Sequence, residues 1–270
     1  MPHRNVAIVR VVIYETILLE RTSNYARLTL NWPHKLNCFT RRMHEEIRDA
    51  LDHLEGDTRS LVITGAGRAF CSGQDLQERA EAKDPDFDLG ESIETNYGPL
   101  VRRLRALPIP VIAAVNGVAA GAGANLALAC DIVIAAKSAK FIEPFCSLGL
   151  IPDTGGTYFL PRLLGTGRSI GLTLLSEHLM AEKAAEWGLI WKCVDDAELS
   201  PCVEEIAARL AGSPRLALAY AKWAIYGSAD NSLAEQLDLE RDFLRALGKT
   251  SEYREAVAAF IENRTRPTPT

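Results

Sequence analysis

The sequence predicts an α/β protein with a mostly parallel sheet and a helical C-terminal part. Short apolar runs rich in β-branched side chains, such as residues 60–64 and Val111–Val115, are typical of buried strands. Stretches with helical periodicity separate these runs, and strands that alternate with helices imply βαβ units and parallel pairing. From about Gly155 onward helical patterns dominate, which indicates a helical subdomain on an α/β core.

The first part of the core is predicted to contain two strands, a capped helix and a third strand. Residues 16–19 and 26–30 alternate as half-buried strands do, and residues 60–64 form the next strand. Thr40 is the expected N-cap of the intervening helix. The apolar face of that helix carries Met43, Ile47, Ala50, Leu51 and Leu54.

Later elements follow from the same patterns. Residues 77–92 are charged and contain Pro85 and Gly90, which predicts a mobile surface loop. A helix is expected at about residues 92–107, and strands at residues 131–135 and 140–141. Beyond these the sequence predicts helices near residues 154–164, 167–175 and 181–187, an extended piece at 190–194, and long helices to about 263.

These patterns divide the chain into four parts. We predict an N-terminal extension at residues 1–13, an α/β core over 14–200, a helical subdomain over 201–265 and a tail at 266–270. The extension has no assigned role.

Composition excludes some classes of function. The net charge of −5 argues against nucleic-acid binding, which needs a basic face. No apolar run approaches the roughly 20 residues of a membrane span. The six cysteines form no C-x-x-C motif, so we expect buried thiols in a reducing cytoplasm and neither disulfides nor a metal site.

A stretch of glycine and alanine at residues 118–124 follows strand Val111–Val115. Residues this small let another molecule lie directly against the main chain. A helix that begins near Gly121 would point its free N–H groups and the positive end of its dipole at that molecule. The stretch therefore indicates half of an oxyanion hole, with close packing between helices as the alternative.

Five ordered motifs resemble the crotonase (enoyl-CoA hydratase/isomerase) superfamily over about residues 14–265. They are NWPHKLNCF, ITGAGRAFCSGQDL, AAVNGVAAGAGANLALACDIVIAAKSAKF, LGLIPDTGGTYFLPRLLG and residues 181–190. The resemblance implies a crotonase-like fold of repeated ββα units with C-terminal helices, assembled as a homotrimer or hexamer. It also implies an acyl-CoA thioester substrate, and no cofactor beyond the coenzyme A that the substrate carries.

By the same resemblance, the backbone N–H groups of Gln74 and Ala122 would bind the thioester oxygen. Losing one such donor typically costs about 10²–10³ in rate. The surface that binds the substrate and its coenzyme A would comprise Lys35, Leu36, Ala69, Gln74, Asp75, Leu76, Gly121, Ala122 and Phe145. For Lys35 a purely solvated role is the alternative.

The catalytic carboxylate is expected at Asp153. The family's hydratases carry two glutamates that hold and activate water, and this chain has Asn125 and Phe145 at those positions. Glu143 is two residues from the second position and is expected to point elsewhere along the chain. One carboxylate is poorly suited to adding water but can move a proton between two carbons of an enolisable thioester. The alternative for Asp153 is an N-cap of the helix that begins near Gly155.

Further segments resemble the ring 1,2-epoxyphenylacetyl-CoA isomerases of bacterial phenylacetate degradation, a subgroup that also lacks both glutamates and uses aspartate at position 153. The matching segments include residues 97–112, VNGVAAGAGA, DIVIAAKSAKF, LGLIPDTGGT, EWGLIW and QLDLERDF. Two departures are Trp32 in place of the usual arginine, and Glu143-Pro144 in place of smaller apolar residues. The second departure could reshape the acyl pocket.

Three alternatives stay open from the sequence. An enoyl-CoA hydratase would need the missing glutamates. A 4-chlorobenzoyl-CoA dehalogenase would share the aspartate but needs a histidine, and the chain has none between His53 and His178. A non-catalytic acyl-CoA-binding subunit would keep the oxyanion loops without using them. We assign His34, His44, His53 and His178 to the surface.

Overall fold

The computed structural model describes residues 8–22, 25–54, 56–81 and 88–265. In chain order its strands are β1 (Ile8–Ile13), β2 (Ile17–Thr22), β3 (Ala26–Leu30), β4 (Leu61–Gly65), β5 (Ala69–Cys71), β6 (Val111–Val115), β7 (Val118–Ala120), β8 (Ile132–Ala136), β9 (Lys140–Ile142), β10 (His178–Met180) and β11 (Lys192–Val194).

The α-helices of the described ranges fall mainly in the second half of the chain. They are α1 (Arg41–Asp52), α2 (Leu76–Glu81), α3 (Leu89–Ser92), α4 (Gly98–Ala106), α5 (Ala122–Ala129), α6 (Gly156–Leu164), α7 (Thr166–Leu175), α8 (Ala181–Glu186), α9 (Leu199–Ala211), α10 (Arg215–Gly227), α11 (Leu233–Leu247) and α12 (Ser251–Thr265). A π-helical segment at Ile93–Tyr97 joins α3 to α4.

The core is built on two β-sheets. The larger has seven strands in the order β1-β2-β3-β4-β6-β8-β11, and the smaller has four in the order β10-β9-β7-β5. In the larger sheet the pairs from β3 to β11 are parallel, whereas β1, β2 and β3 pair antiparallel. In the smaller sheet only the β10–β9 pair is antiparallel. These pairings agree with the predicted α/β class and mostly parallel sheets.

The predicted central strand and capped helix are confirmed. All five residues of β6 are buried, because the strand lies between β4 and β8 and is covered on both faces. The Thr40 hydroxyl accepts a hydrogen bond from the N–H of Met43 at 3.1 Å and caps α1.

The structure corrects two expectations and adds short strands. Residues 8–13, which were predicted to belong to an extension without a role, form β1 and pair with β2 at the edge of the larger sheet. The segment 77–92 is helical at both ends, as α2 and α3, and residues 82–87 lie outside the described residues. Residues 1–7 and the tail at 266–270 also lie outside them. The three-residue strands β7 and β10 were not predicted, because such short runs carry little periodicity.

The helical subdomain is anchored to the core through a buried lysine on α10. The Nζ atom of Lys222 lies 2.9 Å from Asp131 Oδ2 and donates hydrogen bonds to the carbonyl oxygens of Leu104 and Ile109 at 2.9 and 3.2 Å. Burial lowers the pKa of Lys222, and the Asp131 carboxylate opposes that shift. Helix α11, by contrast, has no buried residue. In the ranges that the structure covers, no helix combines the length and apolarity that crossing a membrane requires.

Candidate active site

Two glycine-containing loops lie main chain against main chain at the carboxyl ends of β5 and β7. A Cβ atom on Gly73 would lie 2.9 Å from the carbonyl oxygen of Ala120 and 3.5 Å from the nitrogen of Ala122. A Cβ atom on Gly123 would lie 2.3 Å from the carbonyl oxygen of Cys71, closer than any real side chain comes. Gly73 and Gly123 therefore let the loop after β5 lie directly against the main chain at the start of α5.

The two predicted donors, the main-chain N–H groups of Gln74 and Ala122, lie on adjacent segments of the chain. Phe39 accepts from the N–H of Asp75 at 2.9 Å and donates to the carbonyl oxygen of Gly73 at 2.7 Å, so the main chain is held on both sides of Gln74. Ala122 is the first residue of α5, where N–H groups have no partner within the helix. Within the described ranges neither the Gln74 nor the Ala122 N–H has a hydrogen-bond acceptor.

An aromatic cluster behind this loop was missed by sequence reasoning. The hydroxyl of Tyr97 donates to the side-chain oxygen of Gln74 at 2.6 Å. His44 stacks on Phe39 with ring centroids 4.8 Å apart and meets the edge of Tyr97 at 4.5 Å. The assignment of His44 to the surface is therefore wrong. Burial, with a smaller effect from Arg48, lowers the pKa of His44 to about 4, so the ring is neutral at pH 7.

Asp153 precedes α6 in a tight turn. Thr154 and Gly155 have φ values of 52° and 87°, and Gly155 occupies the N-cap position without any side-chain cap. The Asp153 carboxylate instead accepts from the hydroxyl of Thr154 at 2.9 Å, while its main-chain carbonyl accepts from the N–H of Gly156 at 2.8 Å. Gly155, and not Asp153, therefore holds the N-cap position of α6.

Asn125 links Asp153 to helix α5. It lies one turn beyond Ala122 on α5 and is fully buried. Its Nδ2 atom donates to the main-chain carbonyl oxygen of Asp153 at 3.0 Å and to Glu143 Oε2 at 3.3 Å. The helix that offers the N–H of Ala122 therefore also holds the segment that carries Asp153.

Glu143 does not point away from the site, and that expectation is wrong. Strand β9 ends at Ile142, so the two-residue alternation that the expectation assumed stops before Glu143. The side chain is 1% exposed and hydrogen-bonded to Asn125. Burial raises the pKa of Glu143 to about 8, the Asp153 carboxylate adds to the rise, and the Asn125 hydrogen bond opposes it. The site thus contains a second carboxyl group, which is largely neutral at pH 7.

The residues predicted to bind coenzyme A fall into two groups. Lys35 Nζ lies 3.8 Å from Asp75 Oδ2, and the carbonyl of Leu36 accepts from Ser72 at 3.0 Å, so these segments form one surface. Burial acts to raise the pKa of Asp75, but hydrogen bonds from the N–H groups of Gln77 and Glu78 and the Lys35 charge lower it overall. Asp75 accepts hydrogen bonds from main-chain N–H groups at the start of α2 and pairs with Lys35, and these contacts order the loop.

The remaining predicted binding residues differ in exposure. Leu76 is half-exposed beside that surface, whereas Ala69 is buried and its carbonyl accepts from Asn37 at 2.8 Å. A Cβ atom on Gly121 would lie 3.5 Å from the ring of Phe145. The structure therefore places Phe145 against the loop at Gly121, and Ala69 could contribute only through its main chain.

Comparison with known proteins points to one family. The Enoyl-CoA hydratase/isomerase family matches residues 20–267. A 1,2-epoxyphenylacetyl-CoA isomerase from Escherichia coli (strain K12) is 51% identical, covering 93% of this chain and 97% of the relative. A protein of Rhodobacter capsulatus named "Probable enoyl-CoA hydratase" is 44% identical over 93% of this chain and 96% of its own.

A solved structure has the same fold. The crystal structure of an enoyl-CoA hydratase from Polaromonas sp. JS666 superposes with a TM-score of 0.85 at 34% identity, covering 93% of this chain and 98% of that one. The predicted crotonase-like fold class is therefore confirmed.

Proposed function

The chain belongs to the enoyl-CoA hydratase/isomerase family, and we propose that it is an isomerase that acts on acyl-CoA thioesters through an enolate. The observation that carries the proposal is the pairing of free N–H groups at Gln74 and Ala122 with a carboxylate at Asp153. The 1,2-epoxyphenylacetyl-CoA isomerase that is 51% identical supports the same reaction class.

The oxyanion loops supply the first half of the chemistry. When a carbon next to the thioester loses a proton, negative charge develops on the thioester oxygen. The N–H groups of Gln74 and Ala122 are fixed before the reaction, so they stabilise that charge without reorganisation. The partial positive charge at the start of α5 acts in the same direction.

Asp153 supplies the second half. Its carboxylate takes the proton from one carbon of the substrate, and the enolate spreads the electron pair onto the thioester oxygen. Returning the proton to a different carbon moves the double bond and regenerates the carboxylate. When an epoxide is fused to the conjugated ring, the carbon–carbon bond shared by the two rings breaks as the double bonds shift, so no further reactant is needed. Positions 125 and 145 hold an amide and a phenyl ring, which cannot activate water as a pair of carboxylates does.

Ring 1,2-epoxyphenylacetyl-CoA is the proposed substrate, and unsaturated acyl-CoA thioesters are the related class. The support is the identity to the Escherichia coli isomerase together with the shared segments that surround the site. Phe145, which lies beside Gly121, provides an apolar wall near the oxyanion loop. Lys35 and Asp75 lie together on the surface proposed to hold the coenzyme A moiety.

Hydration is the second candidate function, because Glu143 is a second carboxyl group near Asp153. A hydratase needs both carboxyl groups to face one water molecule. Glu143 is 1% exposed and is engaged by Asn125, so it has little access to water. Isomerisation is therefore favoured.

A panel of acyl-CoA thioesters in deuterated buffer tests the proposal. We expect exchange at the carbon next to the thioester, isomerised products from ring 1,2-epoxyphenylacetyl-CoA or unsaturated chains, and hydration at least about 10-fold slower. A non-catalytic acyl-CoA-binding subunit would show no exchange at all. Faster hydration than isomerisation would replace the proposal with a hydratase.

A homotrimer or hexamer, located in the cytoplasm, completes the proposal. Helix α11 exposes Leu233, Leu237 and Leu244 by 77, 55 and 67% in the single chain, an apolar stripe that assembly would cover. The six cysteine thiols are free, as suits a reducing compartment. Light scattering at micromolar concentration should give three or six times the mass of the chain, and a monomer would contradict the assembly.

A further inference from the structure

Glu143 and Asn125 form a buried polar pair that the proposed proton transfer does not use. Both side chains are essentially inaccessible, at 1 and 0% exposure. A buried carboxyl group and a buried amide are costly unless each is hydrogen-bonded. The contacts of this pair explain why two buried polar side chains lie next to the carboxylate that is proposed to react.

The Asn125 amide is fixed on several sides. Its Nδ2 atom bonds to Glu143 Oε2 at 3.3 Å and to the carbonyl oxygen of Asp153 at 3.0 Å. Gly156 packs so closely that a Cβ atom there would lie 2.5 Å from the same Nδ2 atom. The amide has little room to turn while Glu143 accepts a hydrogen bond from one of its two N–H groups. The other N–H group therefore keeps its hydrogen bond to the carbonyl oxygen of Asp153.

The backbone around Glu143 is equally constrained. The carbonyl of Ile142, at the end of β9, accepts from the N–H of Gly121 at 2.9 Å. Pro144 fixes the chain direction directly after Glu143, and its ring lies 3.9 Å from the place of a Cβ atom on Gly121. Glu143 therefore extends from a segment that is tied to the oxyanion loop.

We propose that Glu143 is a positioning residue for Asp153, acting through the side-chain amide of Asn125. The inference rests on the proposed isomerase function, in which Asp153 moves the proton. Reacting groups must be held within a fraction of an ångström, and a shift of about 1 Å can cost about 100-fold in rate. Glu143 thereby sets the orientation of Asp153 without contacting the substrate.

The charge state of Glu143 gives this role a pH dependence. The groups that act on it from the packed elements are Asn125 on α5 and Asp153 before α6, and of these only Asp153 ionises. Burial and the Asp153 charge keep Glu143 neutral until about pH 8. Above that pH a second negative charge beside Asp153 would strengthen the hold of Asp153 on its proton and slow the return to substrate.

Two substitutions separate positioning from a merely structural role. Glu143→Gln keeps an acceptor for Asn125 but cannot ionise, whereas Glu143→Met removes the acceptor and fills similar volume. We expect Glu143→Gln to keep kcat within about 3-fold at pH 7, and Glu143→Met to lower kcat by roughly 10- to 100-fold with KM nearly unchanged. Circular dichroism and thermal melting should show both variants folded.

The pH profile of kcat is the decisive readout. If the ionised form is inactive, wild-type kcat should fall about 10-fold between pH 7 and pH 9, following a single ionisation near pH 8. That alkaline fall should be absent in Glu143→Gln. An unchanged alkaline fall in Glu143→Gln, or normal kcat in Glu143→Met, would overturn the inference. A wild-type protein without isomerase activity would instead overturn the proposed function, and the inference with it.

Discussion

The side-chain amide of Asn125 donates a hydrogen bond to the main-chain carbonyl oxygen of Asp153, with the two atoms 3.0 Å apart. Asn125 lies on the same helix whose first N–H group, at Ala122, has no acceptor among the described residues. The proposed base and the proposed oxyanion donor are thus linked through one short helix. Changes at Ala122 and Asn125 should therefore affect catalysis.

Ala122→Pro tests the donor on α5. Proline removes the N–H, yet the first position of a helix tolerates proline well, so the fold should persist. We expect kcat to fall by about 10²–10³ with acyl-CoA binding retained. Steady-state kinetics and calorimetric binding measure the two effects.

Ala122→Gly is the matched control, because it keeps the N–H and removes only the methyl group. Its kcat should stay within a few-fold of the wild-type value. Full activity in a folded Ala122→Pro variant would show that this N–H is not a donor in the reaction.

Lys222→Met tests the anchor of the helical subdomain. Lys222 pairs with Asp131 at 2.9 Å while almost fully buried, and its loss leaves a buried carboxylate without its cation. Breaking a buried pair in this way typically costs about 3–5 kcal/mol. Denaturant unfolding should show that loss in the free energy of unfolding.

Lys137→Met is the control, since Lys137 pairs with Glu182 at the same 2.9 Å on the surface. Exposed pairs contribute about 0–1 kcal/mol, so this variant should unfold nearly as the wild type does. Equal losses in the two variants would contradict a special role for burial.

Glu143 should make the folded state less stable as pH rises. Its pKa goes from the ordinary 4.5 to about 8, so between these values the folded chain holds a proton that the unfolded chain has released. The stabilisation is complete below about pH 4.5 and is lost as pH rises through about 8. Each unit of pKa shift corresponds to about 1.4 kcal/mol.

Glu143→Gln removes this ionisation. The free energy of unfolding should be measured in denaturant from pH 5 to pH 9. As pH rises, the value for the variant should increase relative to that of the wild type. Parallel curves for the two proteins would mean that Glu143 has an ordinary pKa in the folded state.

The sequence was sufficient where local chemistry determines structure. Local composition was enough to predict the buried strand Val111–Val115. It was also enough to predict a close main-chain contact at the glycines after it, since only small residues allow such a contact. Thr40 was identifiable as a cap because its role depends on residues within one turn. The role of Asp153 was predicted through its motif and stays a prediction.

Other features depend on tertiary contacts that a single sequence does not display. Glu143 was misplaced because the end of β9 at Ile142, not alternation along the chain, decides its direction. His44 was misplaced because its burial arises from Phe39 and Tyr97, which lie on separate elements. Strand β1 was missed because its pairing with β2 creates it.

Asp153→Asn tests the central claim most directly. The amide can still accept a hydrogen bond from Thr154, and Gly155 holds the N-cap position of α6, so fold and acyl-CoA binding should be retained. We expect kcat for isomerisation to be lost, and solvent deuterium to enter the product with the wild type but not with the variant. Asp153→Ala should be equally inactive. An Asp153→Asn variant with near-native kcat and normal deuterium incorporation would contradict proton transfer by Asp153.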